Sequence, residues 1–229
     1  MNTTSSRRAF SLIELVVVIA IIAIVAAFAV PAVGDIMKGS KLTQASQMLV
    51  DQFTLARQSA LSRNRSIEVR FYRFGDPEVP GEDMTRPLTG QFRAIQAFEI
   101  IESGAALPIS RVEMLPVGII MAANTTSPTD TLSTLIDAQP QIQAVDDPTA
   151  PPLPRGIKLN YEWVSFRYLS DGSTNRTPAS SWYVTLHGLT DKPGSGGTSG
   201  GGVVPPANFF TLQIDPVSGA TKTFRPTAG

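Results

Sequence analysis

The sequence predicts an α+β protein in which a long amino-terminal helix packs on an antiparallel β-sheet. Three observations support this class. Residues 10–34 are almost entirely apolar, residues 35–63 carry an apolar stripe at helical spacing, and seventeen of the 18 prolines follow Phe71. Beyond Phe71 helical periodicity ends and short β-rich runs are bounded by turn residues. A length of 229 residues suits one ordinary domain with an appendage.

The composition excludes several functional classes. The chain has no cysteine, which removes disulfide scaffolds, Cys-based zinc sites and thiol nucleophiles. Its single histidine excludes His-rich metal centres. The 19 basic and 19 acidic residues give a formal net charge of zero, so no basic surface for nucleic acid is expected. The composition therefore makes most hydrolase and metalloenzyme interpretations weak, and no cofactor is predicted.

A run of nineteen apolar residues, from Leu15 to Val33, is the first element. As a helix it is about 28 Å long at ~1.5 Å per residue, close to the ~30 Å hydrocarbon core of a bilayer. Arg7 and Arg8 precede the run, and basic flanks stay on the cytoplasmic side. The run therefore predicts a transmembrane helix with a cytoplasmic amino terminus, and places the chain after Gly34 outside the cytoplasm.

Three other interpretations fit this run less well. A buried core helix is disfavoured because no polar residue interrupts so long an apolar run. A secretory signal cleaved after Ala29 would use the triplet Ala27-Phe28-Ala29, but its apolar stretch would exceed the usual ~7–15 residues. A twin-arginine signal would use Arg7 and Arg8, but the run is unusually apolar for that route. A secreted protein and a membrane-anchored periplasmic binding module stay open as alternatives.

Glu14 is the one charged residue between Phe10 and Gly34. A charge within a membrane segment costs ~2.5–3.5 kcal/mol when it is central, so it marks a functional site by default. Near the start of the helix the cost is smaller, because the helix amino terminus favours an anion. A carboxylate in this position still requires a cation.

The string Arg7-Arg8-Ala9-Phe10-Ser11-Leu12-Ile13-Glu14-Leu15 closely resembles the cleavage and methylation motif of type IV prepilins and type II secretion pseudopilins. The resemblance implies that prepilin peptidase cuts between Ala9 and Phe10 and methylates the new amine of Phe10. It also implies that Glu14 pairs with that amine on a neighbouring subunit during assembly. The alternative is that Glu14 pairs with the amino terminus of its own chain or extends toward the membrane surface. The family usually has glycine before the cut, where this chain has Ala9.

Pro31 and Gly34 predict a break in the helix. Proline removes an amide donor and crowds the preceding turn, and glycine weakens the helix further. In filaments of the resembled family such a break lets the helix pack and stretch. The alternative is that Pro31 only marks the end of the membrane segment.

The apolar stripe of residues 35–63 indicates an amphipathic continuation of the same helix, ending near Arg63. Its members recur at steps of three and four: Leu42, Ala45, Leu49, Phe53, Ala56 and Ala60. The segment Leu49–Phe71, in which such a helix meets an Asn-Arg turn and a strand, resembles the GspH/FimT-type minor pseudopilins. The overall layout is also similar to the Verru_Chthon cassette group of pilin-like proteins.

The remaining chain, residues 64–229, predicts a β-rich periplasmic domain. The expected strands are Ser66–Phe74, Phe92–Glu102, Ile157–Glu162, Val164–Leu169, Trp182–His187, Phe209–Asp215 and Thr221–Phe224. Two hairpins are expected, one joining Val164–Leu169 to Trp182–His187 and one joining Phe209–Asp215 to Thr221–Phe224, with turns at Asp171-Gly172 and Ser218-Gly219. Residues 122–154 predict a long exposed loop with one helical turn, and residues 192–206 predict a flexible surface loop.

The other candidate residues predict structural roles and no reactive or metal-binding site. His187 lacks a serine or acid partner at suitable spacing and predicts a structural histidine. Asp130, Asp146 and Asp147 lack the alternating oxygen donors of a calcium loop, so no metal site is predicted. Trp163 and Trp182, on strands, predict core packing more than a binding platform.

The sequence therefore predicts a non-enzymatic, structural pilin-like subunit. Residues 1–9 would be the leader peptide and residues 10–34 the transmembrane and assembly helix. The protein would be a minor component of a type II secretion pseudopilus or a type IV pilus-like filament. Its partners would be prepilin peptidase, other pilin or pseudopilin subunits and the inner membrane.

Overall fold

The computed structural model describes residues 11–83, 86, 89–123, 132–136, 141–143, 161–191, 194–195 and 203–226, and within the helix the side chains of residues 27–36 are not described. Contacts divide the chain into two compact units, Met1–Ser40 and Lys41–Gly229.

One helix, α1, extends from Leu12 to Arg63. It ends where Asn64 takes a positive φ of 52° and the amide of Arg65 donates to the carbonyl oxygen of Ala60 at 3.3 Å. Asparagine tolerates this left-handed conformation, and the bond satisfies a carbonyl left free at the helix end. Helical structure is continuous through Pro31 and Gly34. The structure therefore has no melted turn at these two residues, and a break in the assembled protein stays a prediction.

The strands follow α1 in chain order. They are β1 (Ile67–Phe74), β2 (Gln91–Ile100), β3 (Ala106–Pro108), β4 (Glu113–Met114), β5 (Ile119–Met121), β6 (Gln141–Gln143), β7 (Tyr161–Tyr168), β8 (Trp182–Gly188), β9 (Gly194–Ser195), β10 (Val203–Val204), β11 (Phe209–Ile214) and β12 (Thr221–Phe224). The main sheet has the order β12-β11-β8-β5-β2-β1-β7-β6, and β3 and β4 also pair with β2. The pairings in this sheet are antiparallel, which confirms the predicted α+β class.

The second predicted hairpin is confirmed, because β11 pairs with β12 in the register Ile214↔Thr221. The first is wrong, because β7 pairs with β1 and β6, while β8 pairs with β5 and β11. Both edges of β7 are therefore occupied and no edge is left for β8. The turn at Asp171-Gly172 closes only the local bridge between Tyr168 and Thr174. The amide of Thr174 then donates to the carbonyl of Pro216 at 2.8 Å, beside β11.

The predicted division between Glu162 and Val164 is also wrong. Strand β7 runs without interruption across Trp163, because residues 162–168 pair continuously with β1. The earlier part of that prediction, residues 157–160, lies outside the described residues.

The main core of the second unit lies between α1 and one face of the sheet. The six residues of the predicted helix stripe are all buried. They meet alternate residues of β1 and β7, as the period of two in a strand requires. At the centre, the Phe53 ring lies 5.3 Å from that of Phe166 and 6.1 Å from that of Phe71. The assignment of this stripe to the core is therefore confirmed.

The opposite face of β1 carries buried charges that the sequence patterning did not predict. Glu68 is almost fully buried and pairs with Arg70 at 2.5 Å and with Arg167 at 2.8 Å. The Arg70 guanidinium lies between the rings of Phe98 and Trp163, at 4.3 and 4.0 Å from their centroids. Buried charges in proteins are paired in this way because isolated ones are costly. Trp163 accordingly packs against a buried cluster, as expected.

Residues 132–136 correct the expectation that 122–154 is an exposed loop. Leu132, Leu135 and Ile136 are buried, with the three- and four-residue spacing of one turn facing the core. Ser133 is buried too, and its hydroxyl accepts a hydrogen bond from the amide of Thr185 at 3.0 Å. The apolar residues inside this otherwise polar segment explain the difference, since they gain free energy by leaving water.

The segment 192–206 is likewise more ordered than predicted. Its two arms pair as β9 and β10, with Val203 opposite Ser195 and Val204 opposite Gly194. Residues 196–202, between these arms, lie outside the described residues.

Two buried tyrosines give a prediction for alkaline pH. Burial raises the pKa of the Tyr72 and Tyr168 phenols well above the ordinary value near 10. Below the pKa that tyrosine has in the unfolded chain, these two phenols do not change the free energy of unfolding. As the pH rises above that pKa, the free energy of unfolding falls, because the phenols lose protons only in the unfolded chain. In a spectrophotometric titration, at least two of the four tyrosines, Tyr72 and Tyr168, should ionise only on unfolding. Ordinary titration of all four in folded protein would contradict this.

Candidate processing and assembly site

The first turn of α1 brings Ser11 and Glu14 together. The Ser11 carbonyl accepts the first helical hydrogen bond, from the amide of Leu15 at 3.2 Å, so Ser11 is the residue that caps the helix. The Ser11 amide donates to Oε2 of Glu14 at 3.4 Å. A serine followed three residues later by glutamate forms a capping box, in which the carboxylate satisfies an amide free at the helix start. Glu14 therefore has a local structural role.

Sequence reasoning missed this local role of Glu14, although the signal was present. Ser-x-x-Glu before an apolar run is itself a signature of a helix start. The predicted cleavage pair, Ala9 and Phe10, lies outside the described residues, so the cut, the methylation and the distance from Glu14 to the new amine stay predictions.

The helix surface that follows Glu14 is apolar on every side. Residues 11–26 are exposed in the isolated chain, and the large side chains among them are Leu, Ile and Val. A helix that is apolar all round is stable only when lipid or protein covers it. An apolar surface of this kind indicates a contact with lipid or with other protein.

Glu14 is the only charged residue among residues 11–26. In the described part of the chain it forms no ion pair with a lysine or arginine. The capping bond engages one carboxylate oxygen and the helix dipole favours a negative charge here. The carboxylate therefore has capacity for a further partner from outside the chain.

Across the described ranges, no helix is both long and apolar enough to cross a membrane. The predicted span Leu15–Val33 includes side chains outside the described set and stays a prediction.

The other candidate residues form no reactive centre. His187 is buried, and its Nδ1 lies 2.8 Å from the carbonyl oxygen of Gly188, which fits the structural role expected of it. The described residues contain no cluster of acids and histidine able to hold a metal ion. Asp130, Asp146 and Asp147 lie outside the described residues. Trp182 packs at the rim of the main core, and its indole donates to the Thr177 carbonyl at 2.7 Å.

The capping box and the exposed apolar residues 11–26 lie in a segment of the sequence that carries a known motif. Residues 4–30 match the family model of the prokaryotic N-terminal methylation motif. The match confirms the resemblance of this segment to the amino-terminal motif of type IV prepilins and pseudopilins. It covers the amino-terminal segment alone.

Two solved structures similar to this chain are both of the minor pseudopilin EpsH from the type II secretion system of Vibrio cholerae. One is 9% identical with a TM-score of 0.39, covering 82% of this chain and 99% of that chain. The other is 11% identical with a TM-score of 0.41, covering 84% of this chain and 99% of that chain. No curated protein matches this chain in sequence.

Proposed function

We propose that the protein is a structural subunit of a type II secretion pseudopilus or a type IV pilus-like filament. The observation that carries this proposal is Glu14, a lone carboxylate in the first turn of an exposed apolar helix, within a match to the methylation motif over residues 4–30. The role is non-enzymatic, and the protein is a minor component of its filament. It is itself a substrate of prepilin peptidase.

Processing sets up assembly in this proposal. Prepilin peptidase cuts between Ala9 and Phe10 on the cytoplasmic side and methylates the new amine of Phe10. Leu15–Val33 holds the subunit in the inner membrane with residues 64–229 in the periplasm. Before incorporation, the apolar helix surface is covered by lipid.

The charge on Glu14 then selects incorporation into a filament. A carboxylate in an apolar environment loses its hydration and is costly unless a cation neutralises it. The Phe10 amine of a neighbouring subunit supplies that cation at the same depth in the membrane. The ion pair therefore favours the one alignment of neighbouring helices that brings Glu14 beside the Phe10 amine. The other side chains of the helix are apolar and would be buried equally well in many alignments.

The amino terminus of the mature protein tests the processing step. We expect intact-mass and terminal sequencing of protein from native envelopes to show a start at Phe10 carrying one added methyl group. A start at Val30 would indicate the secreted protein, and retention of residues 1–9 would contradict processing. Either result overturns the proposal.

Two variants at the cut provide the matched control. Ala9→Gly restores the residue usual in the resembled family and should be cut at the same bond. Ala9→Leu places a branched side chain beside that bond and should accumulate uncut protein. Equal processing of both variants would show that another bond is cleaved.

A further inference from the structure

The helix is flanked by two cations and an exposed valine where it enters the second unit. Lys41 Nζ donates to the Val117 carbonyl at 3.2 Å, and Arg225 Nη1 donates to Thr43 Oγ1 at 2.9 Å. Lys41 and Thr43 are two residues apart, which is about 200° around a helix axis but only ~3 Å along it. Val117 and Arg225 therefore lie on different sides of α1 at the same level. We call Lys41, Val117 and Arg225 the entry collar, because the second unit begins at Lys41.

The two cations of the entry collar are not neutralised within the described part of the chain. Both donate to neutral oxygen atoms, and neither forms an ion pair with a described carboxylate. One carboxylate, Asp191, lies in the adjoining turn, where the Leu189 amide donates to the Gly118 carbonyl at 2.8 Å. The Thr190 hydroxyl donates to its Oδ1 at 3.5 Å. Among these residues, the cations outnumber the carboxylate.

Val117 is the most exposed large apolar side chain described in the second unit, at 72%. It stands at the tip of a turn in which the Ile119 amide donates to the Pro116 carbonyl at 3.0 Å. Gly118, the third residue of this turn, has the positive φ, 89°, that such a turn requires. The turn therefore holds an aliphatic side chain in water beside two cations. This combination suits the headgroup region of a bilayer, where the side chain leaves water and the cations stay beside phosphate.

The chain itself keeps this end of the second unit close to the proposed membrane span. Lys41 follows Val33, the last residue of that span, by eight residues, which reach at most about 29 Å at ~3.6 Å per residue. The opposite end of the unit is marked by Arg57, whose Nε donates to the Ser218 carbonyl at 3.1 Å. Arg57 is sixteen residues beyond Lys41 on α1, about 24 Å at ~1.5 Å per residue. The entry collar is therefore at the end of the unit that the chain holds nearer to the bilayer.

We propose that the entry collar docks the second unit on an anionic lipid surface, that of the bilayer in which the apolar helix of the same chain is inserted. Lys41 and Arg225 face lipid phosphates, and the Val117 side chain enters the headgroup region. Attraction of the cations to anionic lipid adds to the burial of apolar surface. Docking holds the subunit in one orientation before it enters a filament. The inference rests on the membrane insertion of Leu15–Val33 in the proposed function.

Fluorescence quenching in proteoliposomes tests the docking. The chain has no native cysteine, so Val117→Cys in the full chain carries a single fluorescent label. The protein is reconstituted with lipids that carry a quencher on the headgroup, in phosphatidylcholine with or without phosphatidylglycerol. We expect quenching in the anionic vesicles and its loss at high salt, because salt screens exposed charges. The matched control is Val217→Cys with the same label, an exposed valine (65%) next to Ser218 at the opposite end, which should not be quenched.

Neutralising single cations tests the role of charge. Lys41→Gln and Arg225→Gln, each made in the labelled Val117→Cys chain, should lower the ratio of docked to undocked protein by about fivefold, the effect of one cation near anionic lipid. Arg63→Gln removes a cation whose side chain is 51% exposed at the far end of α1, and should leave the ratio unchanged. Equal effects of the three substitutions would contradict a specific role for the entry collar.

The remaining outcomes decide the inference and separate it from the proposed function. Equal quenching at position 117 in neutral and anionic vesicles, absence of quenching in both, or equal quenching at positions 117 and 217 overturns it. A label at position 117 that is shielded from iodide but not quenched by lipid indicates a protein contact and also overturns it. Flotation of the vesicles reports insertion separately. Insertion without docking overturns this inference alone, whereas failure to float overturns the proposed span as well.

Discussion

The variant Glu14→Ala is expected to insert into the membrane as the wild type does and to be lost from sheared filaments. Removing the carboxylate lowers the cost of placing this helix in an apolar environment, so insertion is not impaired. It also removes the anion that would neutralise the Phe10 amine of a neighbour, which leaves a buried charge unpaired. Fractionation of membranes and filaments, followed by quantitative immunoblotting, measures both effects.

Two further substitutions separate charge from helix capping. Glu14→Gln keeps a capping-box residue three positions after Ser11 but has no charge. Glu14→Asp keeps the charge on a shorter side chain. We expect the Gln variant to be lost from filaments like the Ala variant, and the Asp variant to be incorporated in part. If Gln is incorporated normally and Ala is not, the capping bond explains the phenotype and the intersubunit pairing is wrong.

Phe53→Ala is expected to cause the largest loss of folding stability. The ring is fully buried between Phe71 and Phe166, where α1 meets the inner face of β1 and β7. Truncating a buried phenylalanine removes its transfer free energy and leaves a cavity, which together cost ~3–5 kcal/mol. Denaturant unfolding of the purified full chain, followed by tryptophan fluorescence, measures this free energy.

Phe224→Ala is the matched control, since the same atoms are removed from a side chain that is 40% exposed on the edge strand β12. We expect a change within about 1 kcal/mol there, in line with surface substitutions. Comparable losses for the two variants would contradict the placement of the core between α1 and the sheet.

The strand neighbours show where sequence reasoning stopped. The turn residues Ser218-Gly219 correctly predicted the β11–β12 hairpin, because the two strands that pair are close to this turn in sequence. Four residues of each strand pair, from Ile214 opposite Thr221 to Thr211 opposite Phe224. The same reasoning at Asp171-Gly172 predicted a hairpin that does not form. Pairing of β7 with β1 depends on residues nearly a hundred positions apart, such as Val69 opposite Phe166, and no local signal carries that information.

Buried charge is a second feature that only tertiary structure decided. Glu68 and Arg70 alternate with apolar residues along β1, which in isolation indicates a solvated strand face. In the folded protein, Phe98 and Trp163 cover Arg70 from neighbouring strands, and Arg167 supplies a second cation to Glu68. Burial on that face depends on which strands become neighbours.

The sequence by itself determined the features that depend on residues close together in the chain. These are the apolar helix start with its lone Glu14, the stripe from Leu42 to Ala60, and the resemblance to prepilins, which rests on a contiguous motif. Tertiary structure decided the strand order, the burial of residues 132–136 and the meeting of two distant turns at Gly172 and Gly219. The physical reason is range: periodicity and capping act within a few residues, whereas strand pairing and core packing join residues separated by most of the chain.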